Sequence, residues 1–160
     1  MPAFDLDLFL PYLLNQAAEA TSTAFQTHYR IEYGMTRTQW RVLANLGKRG
    51  PMTAAEICRI TFIDKTKVSR AVQALTVAGF LERSAIAGDR RQERLSLTIG
   101  GRKAFDVLGK RALQFDQALR DKLGTEATDA LSRVLRQLVD VSGPVLGRAG
   151  KGTRRGAQNR

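Results

Sequence analysis

The alternation of apolar and polar positions divides the chain into six helical segments and one hairpin. From about Leu10 to Ile31, Leu10, Leu13, Leu14, Ala17, Ala18, Thr21, Ala24, Phe25 and His28 form one long stripe at helical spacing. Pro11 is tolerated in the first turn of that helix, where an N–H would have no helical partner. A stripe this wide must be buried against something. Thr36-Arg37-Thr38-Gln39 is a capping box with Met35 and Trp40 as its staple, and it predicts a second helix from about Arg37 to Leu46. Trp40 and Leu43 point inward, and Gly47, Gly50 and Pro51 are expected to break the helix. A second box, Thr53-Ala54-Ala55-Glu56, opens a third helix. After Thr61-Phe62-Ile63, Asp64 caps a fourth that runs to about Ala78. Val68, Ala71, Val72 and Leu75 share one face of it, and Gly79 supplies a left-handed stop. Phe80 to Ser84 and Glu93 to Leu97 read as strands, with Gly88-Asp89-Arg90-Arg91 in the turn. Thr98 is expected to cap a long helix to Leu123 on which Leu108, Ala112, Phe115, Leu119 and Leu123 keep helical spacing. Gly124 stops it, and Thr125 is expected to cap a last helix carrying Leu131, Val134, Leu135, Leu138 and Val141.

Two short helices joined by a tight turn, then a hairpin with a basic tip, is the order of a winged helix-turn-helix, which places one helix in a DNA major groove. The expected fold class is mainly α with a small β wing. The stretch resembles the MarR (multiple antibiotic resistance regulator) family of bacterial transcription factors. Asp64-Lys65-Thr66-Lys67-Val68-Ser69-Arg70, Leu75 and Gly79-Phe80-Leu81-Glu82-Arg83 carry the likeness, with Asp89-Arg90-Arg91, Leu97-Thr98 and Gly101. A lone helix-turn-helix pattern is a weak signal, whereas this linked set is a strong one. The resemblance implies a single domain over residues 1–142, with the winged helix-turn-helix at about 36–98. Helices at about 10–31 and 99–142 would form a dimerisation lobe. An ordinary intramolecular core accounts for part of the same residues, but the three stripes together carry more apolar surface than one small lobe hides. Residues 143–160 read as a basic, Gly-rich tail: either a disordered solubilising end, which is the favoured reading, or an arm adding phosphate contacts.

Charge sharpens this picture. There are 26 Lys and Arg against 15 Asp and Glu, a net +11, which suggests a polyanionic partner, nucleic acid or an anionic surface. Composition alone leaves a merely basic protein open. One Cys allows no intrachain disulfide. Asp5 and Asp7 stand where a secretion signal would be basic, and the apolar run from Leu8 to Leu14 is too short to span a bilayer. A cytoplasmic protein with no membrane partner is expected.

On the fourth helix the candidate DNA contacts are Lys65, Thr66, Lys67, Ser69, Arg70 and Gln73, a face with no acid after the cap. Arg and Lys suit guanine O6 and N7, Gln suits adenine, and Thr suits the thymine methyl. Lys65 and Ser69 are candidates for phosphate. In the wing, the resemblance assigns the minor groove to the Arg two residues after the wing Asp, which matches Arg91. A narrow minor groove concentrates the negative potential that a guanidinium seeks. Asp89 is expected to be structural, and Arg90 and Arg94 to add backbone attraction. Arg83 is expected to do so too, or to pair with an acid.

Catalysis is not expected. The single His28 has no nucleophile or carboxylate set around it in the sequence, and no phosphate loop is present. With so few His and Cys residues no metal site is expected, and no cofactor is expected either. Redox-sensing members of the family carry a reactive Cys in the first helix, whereas Cys58 lies in the third, which favours a buried structural thiol. The resemblance also implies a small aromatic or anionic effector bound between the lobes. Phe25, His28, Tyr29, Tyr33, Trp40 and Arg41 lie on segments that could line such a cleft, although each is also a reasonable core residue. The expected function is a sequence-specific, homodimeric repressor that reads a two-fold-symmetric operator in double-stranded DNA and is released by that ligand. The alternatives are a regulator without a ligand and a low-specificity architectural nucleic-acid binder.

Overall fold

The computed structural model describes residues 4–146, with residues 89–91 and 142–146 described by their backbone alone. A single 3-10 turn, Leu6–Leu8, capped by the Asp5 carboxylate, precedes helix α1 (Leu10–Tyr33). There follow α2 (Arg37–Arg49), strand β1 (Met52–Thr53), α3 (Ala54–Thr61), α4 (Lys65–Val77), β2 (Leu81–Ile86), β3 (Asp89–Leu97), α5 (Ile99–Leu123) and α6 (Thr125–Leu146). The chain divides into two compact units between Phe115 and Asp116, a point inside α5.

The caps form as the sequence predicts. Thr36 Oγ1 accepts from the Gln39 N–H, and the Gln39 side chain accepts from the Thr36 N–H, at 3.3 and 2.8 Å. Thr53 and Glu56 repeat the exchange at 3.2 and 2.7 Å. Asp64 Oδ1 accepts from the Lys67 N–H at 2.9 Å. Each box satisfies two backbone donors that a helix start otherwise leaves open. At the far end of α4, Gly79 takes φ +78. The Phe80 and Gly79 N–H groups donate to Leu75 and Thr76 at 2.9 and 3.0 Å, a Schellman closure.

Several boundaries differ from expectation. The second helix runs to Arg49 rather than Leu46, because Gly47 is helical and does not break it. A Cβ there would fall within the ring of Phe105, so this glycine makes room for α5, and Gly50, at φ +83, ends the helix instead. The wing turn is confined to Ala87 and Gly88, and β3 already begins at Asp89, so Asp89, Arg90 and Arg91 belong to the strand. Gly88, at φ +88, permits the tighter hairpin. Strand β1 was not anticipated. Its two residues are too few for any periodicity, and only pairing with β3 (Met52 opposite Leu95, Thr53 opposite Arg94) defines it. The sheet order is β1-β3-β2, antiparallel throughout. Thr125 is the first residue of α6 rather than its cap, since Gly124 at φ +85 both ends α5 and accepts from the Thr128 N–H. That helix continues through Gly143 and Pro144 to Leu146. The rest of the proposed tail lies outside the described residues.

The core lies in the first unit. Val42, Leu43 and Leu46 of α2 meet Ile57 of α3, Val68, Ala71, Val72 and Leu75 of α4, and Leu81 and Leu95 of the sheet. Ala104 and Leu108 of α5, Phe25 and Tyr29 of α1, and Met35 and Met52 complete it. At roughly 1.5–3 kcal/mol per fully buried large apolar side chain, this cluster fixes α4 on its scaffold. The stripe on α1 is buried only at its C-terminal end. Leu10 and Leu13 are about half exposed, and Phe25 and Tyr29 are buried. On α6, Leu131, Val134, Leu135, Val139 and Val141 are all exposed.

Candidate nucleic-acid interface and effector cleft

Helix α4 separates its two faces. With Val68, Ala71, Val72 and Leu75 in the core, Lys65, Thr66, Lys67, Ser69, Arg70 and Gln73 are all exposed. These six candidates therefore share one solvent face that carries three cations. Asp64 at the helix start is largely spoken for. Hydrogen bonding, first from the Lys67 backbone N–H, holds its carboxyl below the usual range, and Lys67 Nζ lies 3.3 Å away. The turn before it is unusual, since Phe62 adopts φ +56 with an exposed ring. That left-handed step lets α3 end and α4 begin within three residues.

The wing candidates separate from one another. The side chains of Asp89, Arg90 and Arg91 lie outside the described residues. Arg94 sits farther down β3, between Thr53 of β1 and Ser84 of β2. Its charge helps hold Glu56 below the usual carboxylate range, after the larger effect of hydrogen bonding from Thr53. Arg83 pairs with an acid: Nη1 meets Glu93 Oε2 at 3.1 Å, and Nη2 donates to Gln73 Oε1 at 2.9 Å. This contact ties the exposed face of α4 to the hairpin. The acid partner was one of the two roles expected of Arg83, but the link to Gln73 was not, because it joins residues on separate elements.

A second feature of the first unit is a cleft of about 550 Å³ lined by Ala18, Thr21, Ser22, Phe25, Tyr29, Arg37, Trp40, Arg41 and Phe115. Four of the six effector candidates meet there: Phe25, Tyr29, Trp40 and Arg41. The rings of Tyr29 and Trp40 stack with centroids 6.3 Å apart, and Phe25 packs 5.4 Å from Phe115. Two candidates fall elsewhere. Tyr33 packs edge-on against Phe80, and His28, although 5.0 Å from Phe25, borders a separate recess with Glu32 and Arg111. Arg37 is the residue the sequence reading missed. Its spacing of one turn from Arg41 was a legible signal, since i and i+4 share a helix face. Phe115 is far away in sequence and carries no local signal.

The polar lining is cationic. Arg37 Nη1 reaches Glu19 at 2.6 Å. Arg41 Nη2 donates to the backbone carbonyl of Thr61 at 2.7 Å, and burial, then the neighbouring Arg37, pulls its pKa down. Burial raises the pKa of Tyr29, which Arg37 partly offsets, so its hydroxyl is a neutral donor at pH 7. Cys58 is half-buried against the core rather than fully buried as expected. Among the described residues no cluster of His, Cys, Asp or Glu could hold a metal, and no helix is long and apolar enough to cross a membrane.

A helix-turn-helix with its exposed cationic helix, a three-stranded sheet forming the wing and flanking long helices is a winged helix-turn-helix fold. The MarR family model matches residues 33–92. Over 87% of this chain and 98% of its own, the MarR family regulator SPO1453 from Silicibacter pomeroyi superposes with a TM-score of 0.76 at 28% identity. The repressor NicR from Pseudomonas putida is 25% identical over 137 residues, covering 86% of each chain. NadR, solved in complex with 4-hydroxyphenylacetate, superposes with a TM-score of 0.74 at 25% identity over 86% of this chain and 97% of its own. The chain is therefore similar to MarR family transcriptional regulators, with the family match falling on residues 33–92. Its relatives are named as regulators, not enzymes.

Proposed function

We propose that this protein is a homodimeric repressor that reads a two-fold-symmetric operator with α4 and the wing, and that a small aromatic anion in the α1–α2 cleft releases it. The observation that carries this reading is Arg41. One guanidinium lines the cleft and also bonds the last carbonyl of α3, immediately before the turn into α4. A carboxylate that draws Arg41 toward itself loosens that carbonyl, and the change is felt where the DNA-reading helix begins. Phe25, Tyr29, Trp40 and Phe115 offer the aromatic walls, and Arg37, Arg41, Ser22 and the Tyr29 hydroxyl offer the polar ends. NadR, a relative of similar fold, binds an aromatic acid, and NicR is named a repressor.

A second copy of the chain is the natural cover for the exposed apolar side chains on α6 and at the start of α1. A dimer would carry two α4 helices, and half-sites about 34–36 Å apart would follow. The test is selection from a random DNA pool at physiological salt, followed by titration of the winning site with aromatic acids such as 4-hydroxyphenylacetate. An enriched inverted repeat, released by at least one such acid, is the expected result. Salt-sensitive binding to every sequence would favour the architectural reading. An enriched site that no aromatic acid releases would remove the effector.

A further inference from the structure

The bond between Arg83 and Gln73 has a consequence for base recognition. A guanidinium has donors and no acceptor, so the end of the Gln73 amide that faces Arg83 must be the carbonyl oxygen. That oxygen accepts from Nη2 at 2.9 Å, while the other guanidinium arm is anchored by Glu93 at 3.1 Å. Arg83 stands on β2 and Glu93 on β3, so the clamp is built from the wing and not from α4. With its carbonyl turned toward the wing, the amide of Gln73 presents on its other side the NH2, which only donates. Free glutamine behaves differently, because it matches adenine by donating to N7 while accepting from N6.

We propose that Arg83 makes Gln73 a donor-only reader of the major groove, so that each half-site carries guanine, not adenine, at the base Gln73 meets. The two amide hydrogens find two acceptors, O6 and N7, only on guanine. Adenine offers N7 alone, thymine offers O4 alone, and cytosine presents an amine that repels the donor. Arg83 is thus a positioning residue, acting through Gln73. The inference rests on the reading of α4 as the helix that enters the groove.

The experiment is the same random-pool selection, run on the full chain and on Gln73→Ala, Gln73→Glu and Arg83→Met. In the wild type, one position of each half-site should show guanine preferred about tenfold over adenine, a ratio typical of one lost hydrogen bond to a base edge. Gln73→Ala should make that position degenerate and leave the others intact. Gln73→Glu turns a donor into an acceptor and should move the preference to cytosine, whose N4 donates. Arg83→Met frees the carbonyl and should move it to adenine. Adenine at that position in the wild type, or no position altered by Gln73→Ala, would overturn the inference while leaving the operator reading intact. Absence of any enriched sequence in the wild type would overturn both.

Discussion

Replacing Arg41 by Met removes the guanidinium and keeps most of the aliphatic stem that packs in the cleft. The lost interaction is a charged hydrogen bond of 2.7 Å to the Thr61 carbonyl. Such bonds contribute about 1.5–3 kcal/mol. Part of that is already offset, because burial and the nearby Arg37 both disfavour the Arg41 charge. A net loss of about 1–2 kcal/mol follows, or about 2–8 °C in melting temperature for a chain of this size. A loss that small leaves nearly every molecule folded at 25 °C, so any fall in DNA affinity reports on the local seating of α4. That seating is sensitive because Thr61 is buried, its hydroxyl donates to Ile57 O at 2.6 Å, and the next residue, Phe62, is in the left-handed region. The assays are urea or thermal unfolding, and operator affinity with and without an aromatic acid. Arg41→Met should melt lower, bind up to about tenfold more weakly, and lose its response to the acid. Arg41→Lys keeps a charge but not the two-armed geometry, and should recover less than half of the response. Wild-type melting, affinity and effector response in Arg41→Met would refute the link between cleft and helix-turn-helix.

Other perturbations test other parts of the structure. At Gly101 a Cβ would overlap the Phe80 carbonyl, the acceptor for the Thr98 N–H, so Gly101→Ala should destabilise the fold by about 1–3 kcal/mol. Gly109→Ala, in open space on the same helix, should stabilise it by about 0.5–1 kcal/mol. Paired unfolding curves that move the same way would contradict one of the two, and unchanged curves would contradict both. Glu56 and Asp64 are held below the usual carboxylate range by hydrogen bonds at two helix starts. Their folded values lie below the unfolded ones, so their contribution is complete above about pH 4–5 and is lost as pH falls through the folded values. The double variant Glu56→Gln, Asp64→Asn should therefore lose melting temperature less steeply below about pH 4 than the wild type; equal slopes would show these caps do not titrate with folding. Leu131→Glu with Leu135→Glu places charge on the exposed face of α6 and should halve the mass measured in solution. An intact dimer would show that face is not the contact.

The order of elements was legible because local chemistry specifies it. Thr36, Thr53 and Asp64 cap helices wherever the rest of the chain goes, and the period of Val68, Ala71, Val72 and Leu75 states which side of α4 is buried. The six candidates on the opposite side were exposed for the same reason. What escaped were features made by residues far apart in sequence. Strand β1 exists only because Met52 lies opposite Leu95. Gly47 has the composition of a breaker, and only the ring of Phe105 shows why a glycine inside a helix is needed there. The cleft gathers Phe25, Tyr29, Trp40 and Arg41 as the sequence suggested, but Phe115 joins from α5, and Tyr33 is taken by Phe80 instead. The roles of Arg41 and Arg83 depend on partners 20 and 10 residues away, Thr61 in one case and Gln73 and Glu93 in the other. Capping and amphipathic periods are short-range and survive in any context. A hydrogen bond between two elements has no period, and which donor meets which acceptor is set by how the core seats those elements against each other.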